Sequence, residues 1–207
     1  SKKFGVKCPE PIKDKNGNLI NSIKSKKFSI FTFLDGSSKK RWSSEVCFQI
    51  GETLANFHKI NKNLKFKIIN DFSIDYWERL FLIIKNKKNS KINFLKNEIA
   101  YIKDNWPKNL PKGIIHADLF HDNIFFTGDN LSGIIDFYFS CEDFFAFEIA
   151  ICFNALCFDG SKNNLSFNVT KAKNFIDGYT SIRKLTDKEK NSIKVLSQGA
   201  ALRFLLT

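Results

Sequence analysis

The order of apolar and polar positions predicts short strands in the first part of the chain, over residues 10–34. Asp14–Asn18 contains an Asn16-Gly17 pair, and because both residues tolerate positive φ, this pair is typical of the turn of a β-hairpin. Lys27–Leu34 (KFSIFTFL) predicts a second, continuous apolar strand that ends at Asp35-Gly36. The chain is therefore expected to open with a strand-rich region.

The pattern then becomes helical, since apolar residues recur every three or four positions. Ser43 or Ser44 is the candidate N-cap of the first helix, and Trp106-Pro107 ends the third, because a residue before proline avoids the helical region. Thr186 and Glu189 form a T-x-x-E capping box before the last helix. The predicted helices are one through Val46, Ile50, Leu54 and Phe57, and those over 74–86, 91–104, 143–158, 168–181 and 187–206.

Short strands interrupt the helices near the middle of the chain, at Gly113–His116, Ile124–Thr127 and Gly133–Phe137. A strand-rich opening followed by helices with one small β cluster between them is an α+β plan. The cluster carries polar residues at the ends of its strands, so it is the expected location of the functional site.

The composition predicts a large core and a reducing environment. The chain has 207 residues, of which 43% are hydrophobic and 23 are Phe, so we expect a folded protein. Five Cys without a CxxC pair favour free thiols in the cytoplasm over a disulfide framework. No apolar run approaches the roughly 20 residues that span a bilayer, so we expect no membrane partner. The chain has no Met and ends inside an apolar helical pattern, so we expect a fragment of a longer protein.

The net charge of +12 raises the question of nucleic-acid binding. Only four of the 33 basic residues are Arg, and the Lys residues are scattered among Asn, Ile and Phe. Nucleic-acid binders tend to concentrate their charge and to use the forked Arg side chain for phosphates and bases. We therefore expect no nucleic-acid partner and interpret the charge as a solvated basic surface.

The run Gly113–Asp136 (GIIHADLFHDNIFFTGDNLSGIID) contains the candidate chemistry. Asp118 follows an apolar strand, which fixes its backbone, and precedes a loop that can admit a hydroxyl compound. His116, Asn123 and Asp136 stand at spacings typical of a phosphoryl-transfer site. Asp118 is thus the candidate catalytic base, in preference to a loop residue that only satisfies its own turn.

Asn123 and Asp136 are the candidate metal ligands, because an amide oxygen and a carboxylate suit Mg²⁺ alongside the phosphate oxygens of a nucleotide. Asp136 lies between Ile134-Ile135 and the aromatic run Phe137–Phe139, an apolar setting in which an unpaired buried charge is costly. A bound cation would offset that cost. The sequence therefore predicts a site for Mg²⁺ and ATP.

Other polar residues keep more than one interpretation. His116 is an acid–base group or, as we favour, a residue that holds the loop through backbone hydrogen bonds. Glu148 is either a surface residue of its helix or a buried hydrogen-bonding group. Arg203 lies among apolar residues and needs an anionic partner, either an internal carboxylate or that of a substrate. The candidate substrate contacts are Tyr138, Asn154 and Arg203.

The stretches HADLFHDN and IIDF resemble the catalytic and metal-binding loops of protein kinases, H-R-D-L-x-x-x-N and D-F-G. Ala117 stands where those kinases have Arg, and Tyr138 stands where they have Gly. With these departures the chain resembles the aminoglycoside phosphotransferase and choline kinase branch, whose members phosphorylate small hydroxyl compounds. The resemblance implies a protein kinase-like fold with ATP and Mg²⁺ as cofactors.

A narrower resemblance, to the bacterial type II homoserine kinases of threonine biosynthesis, is carried by HADLFHDNIFF, SGIIDFYFSCEDFFAFEIAICFNALCFD and GAALRFLLT. It implies phosphorylation of the hydroxyl of L-homoserine by ATP. In that family we expect Pro where His121 stands and Asp where Glu148 stands. The resemblance also implies that residues 1–34 are the end of a nucleotide-binding N-lobe and that 35–207 are a truncated helical C-lobe. The hinge that contacts adenine would then comprise Phe31, Phe33, Leu34 and Asp35.

Two alternatives remain at this point. The first is a kinase of another small alcohol, such as an aminoglycoside, choline or methylthioribose. Cationic substrates of this kind need an acidic pocket, and residues 140–160 offer only Glu142, Asp143, Glu148 and Asp159. The second is a kinase-fold binding module without catalysis, which the presence of Asp118, Asn123 and Asp136 disfavours.

Overall fold

The computed structural model describes residues 6–39, 41–62, 64, 67–86, 91–161 and 164–207, and it has the predicted α+β architecture. The helices of the described part are α1 (Ser44–Asn61), α2 (Ile74–Ile84), α3 (Ile92–Asn105), α4 (Phe145–Leu156), α5 (Val169–Ile182) and α6 (Asp187–Leu206). Its strands are β1 (Pro11–Ile12), β2 (Asn21–Ile23), β3 (Lys26–Phe28), β4 (Ile30–Phe31), β5 (Ser37–Ser38), β6 (Lys112–Ile115), β7 (Ile124–Thr127), β8 (Asn130–Ile134), β9 (Cys141–Phe144), β10 (Phe158–Ser161) and β11 (Asn164–Phe167).

The first strands pair differently from the prediction. Asn16 does lie in a turn, because the Asp14 carboxylate accepts the backbone N–H groups of Asn16 and Asn18 at 2.8 Å each. However, β1 pairs with β4 and β2 pairs with β3, so this turn does not join two paired strands. The predicted hairpin at Asn16-Gly17 is wrong. The hairpin turn lies instead between β2 and β3, where Lys24 has a φ of 56°.

The predicted continuous strand Lys27–Leu34 is also wrong, because it divides into β3 and β4 at Ser29. The Ser29 hydroxyl donates a hydrogen bond to the carbonyl of Leu19 at 2.8 Å. The two strands then pair with different partners, β2 and β1. The apolar pattern predicted strand structure in this segment, and both β3 and β4 lie in it or overlap it. The pattern did not indicate the residue at which one pair of strands ends and the next pair begins.

The central β cluster brings the early segment of the chain next to its middle. In a three-stranded antiparallel sheet, β7 lies between β5 and β8. Gly36 allows this approach, because it has a φ of +112° and a Cβ there would lie 2.6 Å from the carbonyl oxygen of Phe126. Strand β6 pairs with β9 in a separate two-stranded sheet, with Ile115 opposite Cys141.

The helices pack in pairs around two clusters of buried apolar side chains. Helix α1 packs on α5, and α4 packs on α6. Helix α4 supplies buried residues to both clusters, including Phe145, Ala150 and Cys152. Within the described residues, no helix is long and apolar enough to cross a membrane. Helix α4, which carries Glu148 of the site described below, is therefore packed on both sides by the core.

Most predicted helices are confirmed, with ends that differ by a few residues. Ser43 precedes α1 with an extended backbone, as expected for an N-cap. The capping box is present, since Thr186 Oγ1 accepts the Glu189 N–H at 3.2 Å and Glu189 Oε2 accepts the Thr186 N–H at 2.9 Å. Among the bounds that were wrong, α4 begins only at Phe145, because β9 precedes it, and the strand predicted over Gly133–Phe137 is β8, Asn130–Ile134. The β10–β11 hairpin was not predicted.

Candidate active site

The loop after β6 carries the candidate base and ends in a short 3-10 helix, His121–Asn123. Its backbone folds on itself, because the Phe120 N–H donates to the Asp118 carbonyl at 2.9 Å and the Asn123 N–H donates to the Phe120 carbonyl at 3.1 Å. The Asn123 amide nitrogen donates to the Asp118 carbonyl at 2.8 Å and to its carboxylate at 3.3 Å. These bonds use the nitrogen of the amide and leave its oxygen as the atom suited to a metal.

Asp118 lies in a half-buried position with charges on several sides. Burial raises the pKa of its carboxyl above the usual range, and His116 and Arg203 oppose that shift. Asp136 and Asp122 raise the pKa further, which shows that the candidate base and the candidate metal ligand share one electrostatic environment. A carboxylate with a raised pKa beside a second carboxylate is an arrangement suited to accepting a proton or to facing a cation.

Asp136 follows β8 and lies beside the loop that carries Asp118. The Ile135 N–H donates to the Asn123 carbonyl at 3.0 Å, which ties the two segments together one residue before Asp136. Asp136 has a φ of 60°, and its carboxylate accepts the Tyr138 N–H at 3.4 Å. The side chain is exposed, so the argument that a buried charge at Asp136 requires a cation is wrong. Strand β8 ends at Ile134, and the left-handed backbone of Asp136 turns the chain away from the strand, so the carboxylate lies outside it.

His116 has both ring nitrogens in hydrogen bonds to the backbone of the site. Its Nε2 lies 2.8 Å from the Ile135 carbonyl, and its Nδ1 accepts the Asp118 N–H at 3.3 Å. These two bonds fit one neutral tautomer, with the proton on Nε2. The ring also packs on Phe137, with centroids 4.8 Å apart. The geometry favours the structural role for His116 over an acid–base role.

Glu148 is fully buried on α4 and holds the loop by its backbone. Its Oε2 accepts the His116 N–H at 2.9 Å, and its Oε1 accepts the Ala117 N–H at 2.7 Å. His58 also donates from Nε2 to Oε2 at 2.9 Å. The surface interpretation of Glu148 is therefore wrong, and the buried hydrogen-bonding interpretation is confirmed. Glu148 stands where the resemblance leads us to expect Asp, and its carboxylate holds the backbone of His116 and Ala117.

A buried chain of polar groups continues from Glu148 to the start of α6. His58 Nδ1 lies 2.7 Å from the Tyr179 hydroxyl, which accepts a hydrogen bond from Arg183 at 3.1 Å. Arg183 in turn donates to Glu189 at 2.7 Å. Sequence reasoning missed this chain, although Tyr179 and Arg183 are four residues apart on α5 and therefore share one helix face.

Arg203 projects from α6 to the same loop, where it donates from Nη1 to the Ala117 carbonyl at 2.5 Å. Ala117 has a φ of 63°, a left-handed conformation that nothing in its sequence context signals. Within the described residues, Arg203 forms no ion pair with a carboxylate. The expected internal salt bridge is therefore absent from this part of the chain.

A cleft of about 460 Å³ opens beside the metal loop. Asn70, Asp71 and Phe72 form one side of it, and Tyr138 and Phe139 form another. Tyr138 is 85% exposed, so its ring stands in the cleft with little packing around it. Asn154 was the other candidate substrate contact. It lies on α4, where its amide nitrogen donates to the Ser197 carbonyl of α6 at 2.8 Å.

The predicted hinge lies against the β7–β8 hairpin that connects Asn123 to Asp136. Leu34 approaches Gly133 of β8, where a Cβ would lie 3.0 Å from Leu34 Cδ2. Phe31, Phe33 and Asp35 are exposed, with Phe33 at 87%. Leu34 therefore lies beside β8, and the rings of Phe31 and Phe33 are exposed. The role of these residues as a hinge stays a prediction.

The donor set fits a divalent cation that a nucleotide helps to hold. Among the described residues, no group of three or more His, Cys, Asp or Glu side chains is arranged to hold a metal ion alone. Asn123 and Asp136 offer one amide oxygen and one carboxylate. Mg²⁺ is commonly bound by one or two carboxylates together with substrate phosphates, so this small set is compatible with it.

The candidate site consists of the half-buried carboxylate of Asp118, Asn123 bonded to it, and Asp136 directly after β8. This set defines a phosphotransferase of the protein kinase-like type. The profile of the phosphotransferase enzyme family (APH) matches residues 2–183, and the chain belongs to this family. An amicoumacin kinase, solved in complex with AMP-PNP, Ca²⁺ and Ami, matches over 99% of this chain and 64% of its own, with a TM-score of 0.74 at 15% identity. The predicted fold class is therefore confirmed.

Curated relatives give a narrower likeness. The chain is 39% identical to the homoserine kinase of Sinorhizobium fredii and 41% identical to that of Afipia carboxidovorans, in both cases over 98% of this chain. It spans 63% of the length of each of these relatives.

Proposed function

We propose that this chain is part of an ATP-dependent kinase that transfers the γ-phosphoryl group to the hydroxyl of L-homoserine and forms O-phospho-L-homoserine, a step of threonine biosynthesis. The observation that carries this proposal is the identity of 39% and 41% to two homoserine kinases across 98% of the chain. ATP use follows from membership of the phosphotransferase family.

In this proposal residues 1–34 belong to the nucleotide-binding N-lobe and residues 35–207 form the C-lobe. Phe31, Phe33, Leu34 and Asp35 form the hinge, whose backbone would contact adenine. The approach of Leu34 to Gly133 supports the assignment, because it places the hinge beside the hairpin that leads to Asp136. Residues 1–5 lie outside the part of the chain that the structure describes.

Asp118 is the proposed catalytic base. It orients the acceptor hydroxyl and takes its proton late in the reaction, because a loose phosphoryl-transfer transition state requires little charge on the nucleophile. Asn123 and Glu148 hold the loop so that the carboxylate keeps its direction. His116 is the proposed link between the loop and the Ile135 carbonyl rather than a proton carrier.

Asn123, through its amide oxygen, and Asp136 are the proposed ligands of Mg²⁺. The ion, when bound, neutralises charge on the nucleotide phosphates. The exposure of Asp136 supports this role, since an exposed carboxylate can meet a solvated Mg·ATP complex without a desolvation penalty before binding. The Ca²⁺ and AMP-PNP in the amicoumacin kinase structure show that this fold accommodates a divalent cation and a nucleotide together in that protein.

The cleft beside Tyr138 is the proposed acceptor pocket. Its lining includes Asp71, which lies close enough to Cys141 to raise the pKa of that thiol together with burial and Asp143. Asp71 is the proposed partner of the substrate ammonium. Asp71 is preferred to two of the acidic residues within 140–160. Glu142 is paired with Lys112 at 2.7 Å, and Glu148 is fully buried under the loop. Asn154 remains a candidate for contact with the substrate, whereas Arg203 is only 3% exposed and lies over the Phe72 and Phe139 rings.

A cytoplasmic location is also proposed. All five cysteines are free, and four of them are buried, which suits a compartment where thiols stay reduced. Neither a nucleic acid nor a membrane is proposed as a partner, and the partners are ATP and the small acceptor.

A coupled assay of ADP release tests the proposed function. The full-length protein is supplied with Mg·ATP and, separately, with L-homoserine, choline, an aminoglycoside and an amino alcohol that lacks the carboxylate. We expect turnover with L-homoserine at least about 100-fold faster than with the analogue, because a site built for two charged groups rejects a ligand that leaves one unpaired. Equal turnover of choline or the amino alcohol would contradict the homoserine proposal.

A further inference from the structure

We propose that Arg203 is a positioning residue that fixes the backbone of Ala117 and thereby directs the Asp118 carboxylate at the acceptor hydroxyl. This inference rests on the proposed phosphoryl transfer at Asp118. It differs from a role of Arg203 as a ligand of the substrate carboxylate.

The first observation is the conformation of Ala117, which lies directly before Asp118. Its φ of 63° is disfavoured for any residue with a Cβ, because the side chain crowds the following carbonyl. Such a conformation persists where the surroundings determine it from several sides. Here the N–H is held by Glu148 at 2.7 Å and the carbonyl is held by Arg203. Both polar groups of the strained residue are therefore bound by buried charged side chains.

The second observation is the setting of Arg203, which is only 3% exposed. Its guanidinium lies over the rings of Phe72, Phe139 and Phe204, at 5.3, 6.0 and 4.7 Å from their centroids. Within the described residues, its Nε is a buried donor without a hydrogen-bond partner. If only packing mattered, an apolar side chain of similar volume would be as stable or more stable here. The cation is therefore best explained by its bond to the Ala117 carbonyl.

The third observation concerns access to Arg203 from the acceptor cleft. Phe72 and Phe139 form part of the cleft wall, and the guanidinium lies over both rings. A substrate in the cleft therefore meets these aromatic rings before it meets the cation. Arg203 connects the wall of the cleft to the loop of Asp118, so it positions the base without touching the substrate.

Hydrogen exchange tests the positioning directly and needs no substrate. In the full-length protein, Arg203→Met should raise the exchange of the backbone amides of residues 116–118 about tenfold or more, because Ala117 loses one of the two side chains that hold its backbone. Arg203→Leu, which also lacks a donor, is the variant to use if Arg203→Met fails to fold. Arg79→Met is the matched control, since Arg79 is exposed and lies 5.5 Å over the Tyr76 ring. Unchanged exchange in a folded Arg203 variant would overturn the proposal.

Kinetics separate positioning from substrate binding. A misdirected base should lower kcat of Arg203→Met about 100-fold while the KM for ATP and for the acceptor change little. A rise in the acceptor KM with kcat preserved would show that Arg203 binds the substrate carboxylate and would overturn the proposal. Arg79→Met should match the wild type.

A second substitution provides a rescue test. Gly adopts the left-handed conformation without strain, so Ala117→Gly in the Arg203→Met background should restore much of the lost kcat and of the amide protection. Absence of any rescue would mean that Arg203 supports the fold generally and does not act through Ala117.

If the wild type phosphorylates another acceptor but not L-homoserine, the proposed substrate fails, and the Arg203 test is carried out with that acceptor. The hydrogen-exchange measurement needs no substrate, so its result does not depend on which acceptor the enzyme uses.

Discussion

At the scale of single residues, the site depends on buried charges that hydrogen bonds hold in one protonation state. Burial lowers the pKa of His58, and the bond to Glu148 opposes that shift only in part. For Glu148, burial would raise the pKa, but the bonds from His58 and the loop amides outweigh it and the pKa lies below the usual range. The pair is therefore a neutral imidazole beside an ionised carboxylate.

This pair predicts a loss of stability in mild acid. The folded-state pKa of His58 is lower than its unfolded value of 6.5, so the unfolded chain binds more protons as the pH falls below about 6.5. The melting temperature should fall between pH 7 and pH 5, by about 3–5 °C for each unit of pKa difference. His58→Gln should lower it at pH 7 but flatten this dependence. His121→Gln, at an exposed site, is the control, and an equally steep profile in His58→Gln would contradict the account.

The second prediction at this scale concerns Asp136. Asp136→Ala removes a charged ligand, so the affinity for Mg·ATP measured by isothermal titration should fall at least about 100-fold. Asp129→Ala is the matched control, because Asp129 is an exposed Asp on the turn between β7 and β8 and pairs only with Lys39 among the described residues. Unchanged affinity in Asp136→Ala would mean that the metal is held elsewhere.

Residues whose chemistry is local could be predicted from the sequence, and those whose role depends on a distant partner could not. Asp118, Asn123 and Asp136 were proposed from residue type and spacing, and hydrogen bonds bring their segments together, while their roles stay predictions. The bracing role of Glu148 depends on His58, 90 positions away, and the strain at Ala117 depends on Arg203, 86 positions away. Contacts between residues this far apart in the chain leave no periodic pattern in the sequence.

At the scale of elements, the helices that carry the site meet with very little space between them. Helices α1 and α5 cross where Gly178 faces Phe48, and a Cβ on Gly178 would lie 2.1 Å from the Phe48 carbonyl oxygen. This crossing brings His58 of α1 to Tyr179 of α5. The close packing of α1 on α5 therefore holds His58 and Tyr179, two members of the buried chain of polar groups, next to each other.

Gly178→Ala should consequently destabilise the fold. Overpacking of a core contact typically costs 1–3 kcal/mol, which corresponds to a melting temperature lower by about 2–10 °C. Circular dichroism melts of the variant and of Lys173→Ala, an exposed position on the same helix, measure the difference. A melting temperature within about 1 °C of the wild type would show that the crossing can relax.

Elements with one dominant apolar period were predicted well, because α1 and α3 each bury an apolar face that recurs at helical spacing, and the start of α6 was predicted from its capping box. The strands were predicted less well. Their existence follows from alternation, but their partners depend on parts of the chain far apart in sequence, as in the pairing of β5 with β7. The Asn16-Gly17 signal is correct for a turn and insufficient for a hairpin, since it does not specify which strands meet.

At the scale of the whole molecule, the chain spans 63% of the curated relatives it matches, and the site lies where its strand-rich opening meets the helical part. The hinge candidate Phe33 is almost fully exposed there. The division into lobes at residue 34 stays a prediction.

Phosphorus NMR of the reaction is a direct test of the proposed role of Asp118 in phosphoryl transfer to a small hydroxyl compound. The full-length protein with Mg·ATP and L-homoserine should accumulate a phosphomonoester, identified as O-phospho-L-homoserine. Asp118→Asn should form it about 100-fold more slowly or worse, because a general base and its orienting effect contribute about that much. Asp129→Asn should behave as the wild type. Formation of inorganic phosphate alone by the wild type, or near-normal product formation by Asp118→Asn, would contradict the account.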